Sequence, residues 1–145
     1  MLFGAEDFTG ICGNTGACFC LPIHTYCLMS KKIVVITGSP RKNGNSFAMP
    51  VYWYSIPAQI KSVIDRIFSL VVGGKDIAGK ECALITCCEE DDMSVMDGVR
   101  VPVERMCALN KWKMVGEVLI PGVLNAGDIE KTDGCAKAAA LADAI

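Results

Sequence analysis

The run Ile33-Val34-Val35-Ile36 limits most sharply what this chain can fold into. It is short, β-branched and apolar at every position, bounded by Lys32 on one side and by Gly38-Ser39-Pro40 on the other. A strand apolar on both faces belongs in the middle of a sheet covered on both sides, which is the situation of α/β proteins. Cys82-Ala83-Leu84-Ile85-Thr86-Cys87 repeats the pattern, and Val115-Gly116-Glu117-Val118-Leu119-Ile120 predicts a third strand.

Helical signals fall between these runs. Ile60, Val63, Ile64, Ile67, Phe68 and Val71 recur at helical spacing, with Lys61, Ser62, Asp65, Arg66 and Ser69 on the opposite face. Pro57 suits the first turn of that helix and Gly73-Gly74 stops it. A second helical stretch is expected from about residue 94 to 109, which Pro102 must kink or restart. Thr132 or Asp133 caps an Ala-rich closing helix. Alternation of strand and helix gives right-handed crossovers and a parallel sheet with helices on both faces.

Residues 1–30 show neither clean alternation nor helical spacing. Rich in Gly and Cys, they read as an irregular N-terminal extension to a domain over residues 31–145. They contain Glu6 and Asp7 and no Lys or Arg, so they account for the whole formal net charge of -2. The balanced remainder argues against a dedicated nucleic-acid binder. No apolar run approaches the roughly 20 residues of a membrane helix, so no membrane partner is expected. The start carries no cationic leader, which predicts a cytoplasmic location. There the 9 cysteines should be mostly free thiols or metal ligands.

The segment GSPRKNGNS, residues 38–46, leaves the carboxyl end of the first apolar run and reaches a helix start at Asn45 or Ser46. Ligands of open α/β sheets bind at that end. Its glycines let backbone N–H groups turn inward, Ser39, Asn43, Asn45 and Ser46 add polar donors, and Arg41 and Lys42 add charge. With a helix N-terminus this suits one terminal phosphate. A Walker A loop is excluded because Asn45 follows Gly44, and the Gly-x-Gly-x-x-Gly dinucleotide fingerprint is absent. The plainer alternative is a polar strand-to-helix turn. Further on, PVYWYSIPAQIKSVIDR sets Tyr52, Trp53 and Tyr54 in front of the amphipathic helix. Three consecutive aromatics cannot share one face of a regular element, so at least one is exposed or faces a ligand.

With GKECALITCCEEDD and VGEVLIPGVLNAGDI downstream, these segments resemble the flavodoxin-like NAD(P)H-dependent FMN reductases, in the branch that includes the iron–sulfur flavoproteins. The resemblance spans roughly residues 31–130. It implies a doubly wound parallel sheet in a three-layer αβα domain, non-covalent FMN and a homo-oligomer. It places the FMN phosphate on Ser39, Arg41, Asn43, Asn45 and Ser46, and the isoalloxazine ring against Pro50, Val51, Tyr52, Trp53, Tyr54 and Ser55. Thr86, Cys87, Cys88 and Glu89 would form the opposite wall, where nicotinamide or acceptor enters. The implied activity passes hydride from NAD(P)H through FMN to a small acceptor such as a quinone, nitro compound, flavin or ferric complex. A flavodoxin-type electron carrier and a truncated remnant that binds nothing are the alternatives.

The chain departs from that family at one place. Only Phe47-Ala48-Met49 separates Ser46 from Pro50, where the family has a helix, a strand, another helix and a third strand. The sheet is therefore expected to be incomplete, lacking one or two strands. Either an internal segment is lost, or the molecule holds residues that this sequence omits, or residues 1–30, with or without a partner chain, replace it; their lack of a good strand pattern favours one of the first two.

Cys12, Cys18, Cys20, His24 and Cys27 raise the question of a metal, but they lack the C-x2–4-C pair of structural zinc sites. The cysteine cluster of iron–sulfur flavoproteins follows the second strand, so these residues do not inherit it by position. Ordinary thiols are the simpler reading. Cys87-Cys88 invites a redox-active pair, with buried small hydrophobes as the simpler alternative. Cys82, Cys107 and Cys135 fall on expected core faces, Glu89-Glu90-Asp91-Asp92 reads as a solvated acidic loop, and Lys61 and Asp65 as a surface pair.

Overall fold

The computed structural model describes residues 49–143 in full and, before them, the backbone of three strands. These are β1 (Leu2–Phe3), β2 (Ile23–Leu28) and β3 (Lys31–Ile36). The chain continues through β4 (Met49–Pro50), α1 (Ala58–Val72), β5 (Glu81–Cys87), α2 (Asp97–Leu109), β6 (Lys113–Ile120) and α3 (Gly134–Asp143). Strands β4, β5 and β6 form a parallel sheet in that order, Met49 opposite Thr86 and Ile85 opposite Val118. Three parallel strands with three helices make this an α/β fold, consistent with an incomplete flavodoxin-like sheet.

Helix α1 forms where the apolar spacing predicts. Pro57 sits immediately before it and accepts the amide of Lys61 at 2.9 Å. The helix ends in a Schellman closure, Gly74 N–H on the Val71 carbonyl and Lys75 N–H on that of Leu70, both 3.0 Å. Lys61 and Asp65 do pair on its exposed face, a contact worth about 0.3–0.5 kcal/mol. At the other end of the domain, the Thr132 hydroxyl accepts the Gly134 amide at 3.1 Å and starts α3.

Strand β5 is buried on both faces, as its composition requires. Cys82 and Leu84 meet Ile60, Val63 and Ile67 of α1 and Val99, Val103 and Cys107 of α2, with Trp112 and Ile77 closing that core. Ile85 and Cys87 face the other way, against Val118, Ile120, Val123 and Leu141 of α3. Two helices therefore cover one face of the parallel sheet and one helix the other.

The first strand departs from expectation. The apolar run at Ile33 is not part of the parallel sheet. It lies in β3, the centre of a separate antiparallel sheet ordered β1-β3-β2, with Ile23 opposite Ile36 and Leu28 opposite Lys31. Residues 1–30 are accordingly not wholly irregular, since they contribute β1 and β2, and the β2–β3 pairing crosses the boundary drawn at residue 30. An all-apolar run demands cover on both faces but does not encode its partner's direction. Ile23, Thr25 and Tyr26 are good strand formers lying close in sequence, and closing a short loop costs the least entropy. A parallel partner would need a crossover of a dozen or more residues. The third parallel strand is instead the two-residue β4.

Smaller differences follow the same logic. Helix α2 runs unbroken through Pro102, preceded by a 3-10 turn at Met93–Met96. Phe68 is 69 % exposed, and Val71 and Val72 are exposed as well. Ile60, Val63 and Ile67 already fill the stripe that faces the core, and Phe68 lies about 100° round the helix from Ile67. Cys135 is exposed on α3, whereas Cys82 and Cys107 are buried as expected.

Candidate functional site

Parallel strands deliver their following loops to one edge, and here those loops are stitched together. Val51 N–H donates to the Cys87 carbonyl at 2.9 Å, extending the β4 pairing by one bond. Cys88 N–H donates to Ile120 at 3.1 Å, and its carbonyl accepts from Val123 at 2.8 Å. Gly122 N–H donates to the Glu90 carbonyl at 3.1 Å, and its φ of 69° explains a glycine there. The segment after β5 is thus anchored on its β6 side.

On the other side the chain makes a tight reversal. Tyr52 N–H donates to the Ser55 carbonyl at 3.2 Å and Ser55 N–H to that of Tyr52 at 3.1 Å. Trp53 and Tyr54 occupy the two central positions with φ of 49° and 58°. Bulky residues in that region cost about 1–2 kcal/mol each, and such strain clusters at functional sites. The reversal turns all three aromatics outward, Trp53 at 94 % exposure. Its underside is set by Gly98, in the first turn of α2. A Cβ there would lie 1.6 Å from the Tyr54 carbonyl oxygen, so only glycine admits this approach.

The aromatic turn and the 88–90 segment border an open cleft of about 280 Å³, lined by Val51, Tyr52, Trp53, Tyr54, Cys88, Glu89, Glu90 and Val95. Six of these are residues the sequence singles out. The Tyr54 hydroxyl donates to Glu90 Oε1 at 3.0 Å, tying the two walls together. No protein-family model, curated protein or solved structure matches this chain.

Pro50 and Ser55 flank the cleft without lining it, Pro50 in the β4 pairing and Ser55 in the turn. Thr86 is fully buried, and its hydroxyl donates to the Met49 carbonyl at 2.6 Å, holding β4 on β5. Cys87 faces the α3 core. Ser39, Arg41, Asn43, Asn45 and Ser46 lie outside the described residues, as do Cys12, Cys18 and Cys20. His24 and Cys27 lie on β2, where only the backbone is described. Among the described residues no group of three or more His, Cys, Asp or Glu is arranged to hold a metal. Nor is any helix among them long and apolar enough to cross a membrane.

Sequence reasoning missed Glu90, Val95 and Gly98. Glu90 and Asp92 have defined tasks inside the exposed acidic run: Glu90 accepts from Tyr54, and Asp92 Oδ1 accepts the Ser94 amide at 2.9 Å. The Ser94 amide holds the Asp92 carboxyl below its usual range. The spacing from Asp92 to Ser94, at the start of the helical stretch, was the one signal in the sequence for such a cap.

Burial pushes the Cys87 thiol up to about 11, and burial also raises Cys88, whose Sγ donates to the Glu90 carbonyl at 3.2 Å. Both remain thiols near neutral pH, which makes them poor nucleophiles. In the core, a hydrogen bond with Cys107 raises Cys82.

The Glu90 carboxylate also raises the Tyr54 phenol above its ordinary value near 10, by accepting its proton in a hydrogen bond and by its charge. A raised folded-state value means that the stabilisation is complete below the unfolded value near 10 and is lost as pH climbs through the folded one. Tyrosinate absorbance should show one phenol titrating late in the wild type. That phase should vanish in Tyr54→Phe and move back toward 10 in Glu90→Gln; an unchanged profile in both would contradict the contact.

Proposed function

We propose that this chain is an FMN-dependent NAD(P)H oxidoreductase of the flavodoxin-like FMN reductase family, passing electrons to a small acceptor. One observation carries the reading: the aromatic turn and the segment after β5 border one cleft at the carboxyl edge of a parallel sheet. Ligands of open α/β sheets bind at that edge. The volume of about 280 Å³ is close to the lower bound of roughly 300 Å³ for ligand pockets, enough for a flat ring system but not for a whole nucleotide. The lining holds Glu89 and Glu90 and no Lys or Arg, which favours an uncharged ring over a phosphate.

The residues present fit the ring of FMN. Tyr52, Trp53 and Tyr54 would supply the aromatic wall, and Val51, Cys88 and Val95 apolar floor. The phosphate would fall to Ser39, Arg41, Asn43, Asn45 and Ser46. Bound there, FMN would supply hydride acceptance from NAD(P)H and onward electron transfer, so the chain needs no dedicated acid or base. Its own work is to orient the ring, exclude water from one face and leave the other open to nicotinamide and then to acceptor. The same family reading implies a homo-oligomer.

Purified protein should take up FMN, turn yellow and bleach when NAD(P)H is added without oxygen. A colourless protein that binds no added FMN would sink the proposal. Steady NAD(P)H oxidation with a quinone separates a reductase from an electron carrier, which needs a protein partner.

A further inference from the structure

Glu90 is the one acidic residue of the loop whose side chain reaches the aromatic turn, 36 residues away in sequence. Its backbone is fixed first, because its carbonyl accepts from both Gly122 N–H at 3.1 Å and Cys88 Sγ at 3.2 Å. An anchored backbone projects the carboxylate across the mouth of the cleft to the Tyr54 hydroxyl. Tyr54 is therefore held at two points, its phenol by Glu90 and its carbonyl against Gly98. Between those points the residue sits at a φ of 58°, a conformation the local chain does not favour. Without the outer hold, the phenol end of the ring is free to swing and the width of the cleft is no longer defined.

We propose that Glu90 is a positioning residue: it fixes the Tyr54 ring as one wall of the cleft and so sets the cleft's fit for a planar aromatic ligand. The inference rests on the FMN reading for the identity of that ligand, but the hold on Tyr54 exists without it. Glu90 acts through Tyr54, so removing either partner should remove the same interaction. A glutamine retains an acceptor oxygen at the same reach, and an alanine does not.

The test uses the full chain with Glu90→Ala, Glu90→Gln, Tyr54→Phe and the Glu90→Ala/Tyr54→Phe double variant. Affinities for FMN and for riboflavin, which lacks the phosphate, are read from flavin fluorescence quenching. Exchange of the Ser55 amide is read by NMR on the ligand-free protein. Glu90→Ala and Tyr54→Phe should each weaken both flavins about fivefold, the net worth of one solvent-exposed hydrogen bond. The double variant should lose no more than either single one, because the two share one contact. Glu90→Gln should stay within about twofold of wild type on the same scale. Ser55 exchange should quicken in Glu90→Ala and Tyr54→Phe and not in Glu90→Gln. Wild-type affinity in Glu90→Ala, or losses that multiply in the double variant, would overturn the proposal. If the wild type binds neither flavin, the FMN reading fails by itself. The Ser55 exchange then decides on Glu90, and equal rates in all variants would reject it.

Discussion

Replacing Gly98 by alanine should cost this protein its cleft. The new Cβ would sit 1.6 Å from the Tyr54 carbonyl oxygen and 2.8 Å from its carbonyl carbon, and no side-chain rotation relieves a clash made by the Cβ itself. One of two elements must move. Helix α2 is held by Val99, Val103 and Cys107, all in the core, while the aromatic turn projects into solvent. The turn is the part that yields. Overpacking of this kind costs about 1–3 kcal/mol, although alanine is intrinsically the better helix former by roughly 1 kcal/mol. Urea unfolding should therefore report a net loss, and FMN affinity should fall by at least about tenfold, since the walls no longer face one another. A Gly98→Ala protein as stable as wild type, with unchanged FMN binding, would show that the close approach does not shape the site.

The largest effect on stability is expected at Trp112. This side chain is buried between α1, α2 and β5, and its Nε1–H donates to the Ile77 carbonyl at 2.5 Å. Truncation to alanine removes the packing, leaves a cavity and orphans a buried carbonyl, for a loss of about 3–5 kcal/mol. Against a typical net stability of roughly 5–15 kcal/mol, that brings the domain close to unfolding at ambient temperature. Trp112→Phe separates the contributions: it keeps most of the ring and loses the hydrogen bond, so the cost should fall to about 1–3 kcal/mol. Both values are read as shifts of the urea midpoint at unchanged slope. Equal costs for the two variants would mean that packing at this position contributes little.

Trp112 also shows why one kind of information escapes a linear reading. Its partner lies 35 residues away, on a connection with no periodic signal. Glu90 and Gly98 are missed for the same reason, since their tasks are defined by Tyr54, which is remote in sequence from both. The aromatic triplet, by contrast, is legible locally. Three adjacent large rings cannot all be buried by one element, and all three prove exposed. The helix over Ala58–Val72 and the strands over Glu81–Cys87 and Lys113–Ile120 are legible because periodicity and β-branching are written in consecutive residues.

At Ile33 burial implies cover on both faces without naming the partner, while in residues 1–30 the lack of clean alternation hides two short strands. Apolar side chains on both faces say that a strand is covered, not whether its neighbours run parallel or antiparallel. Phe68 and Val71 carry the same lesson for a helix: their spacing marks an apolar stripe, but only the elements packed on α1 decide how wide a stripe is used.

By itself, then, the sequence determined the α/β alternation after residue 57, both ends of α1, the two-faced burial of β5 and the placing of an aromatic segment before α1. Each follows from the order of side chains along a few turns or strand residues. Only the tertiary structure decided that β4 rather than β3 joins the parallel sheet, that Glu90 reaches Tyr54, and that Gly98 seats the turn. Those are contacts between distant segments, and their geometry exists only once β5 and β6 have brought their following loops to a common edge.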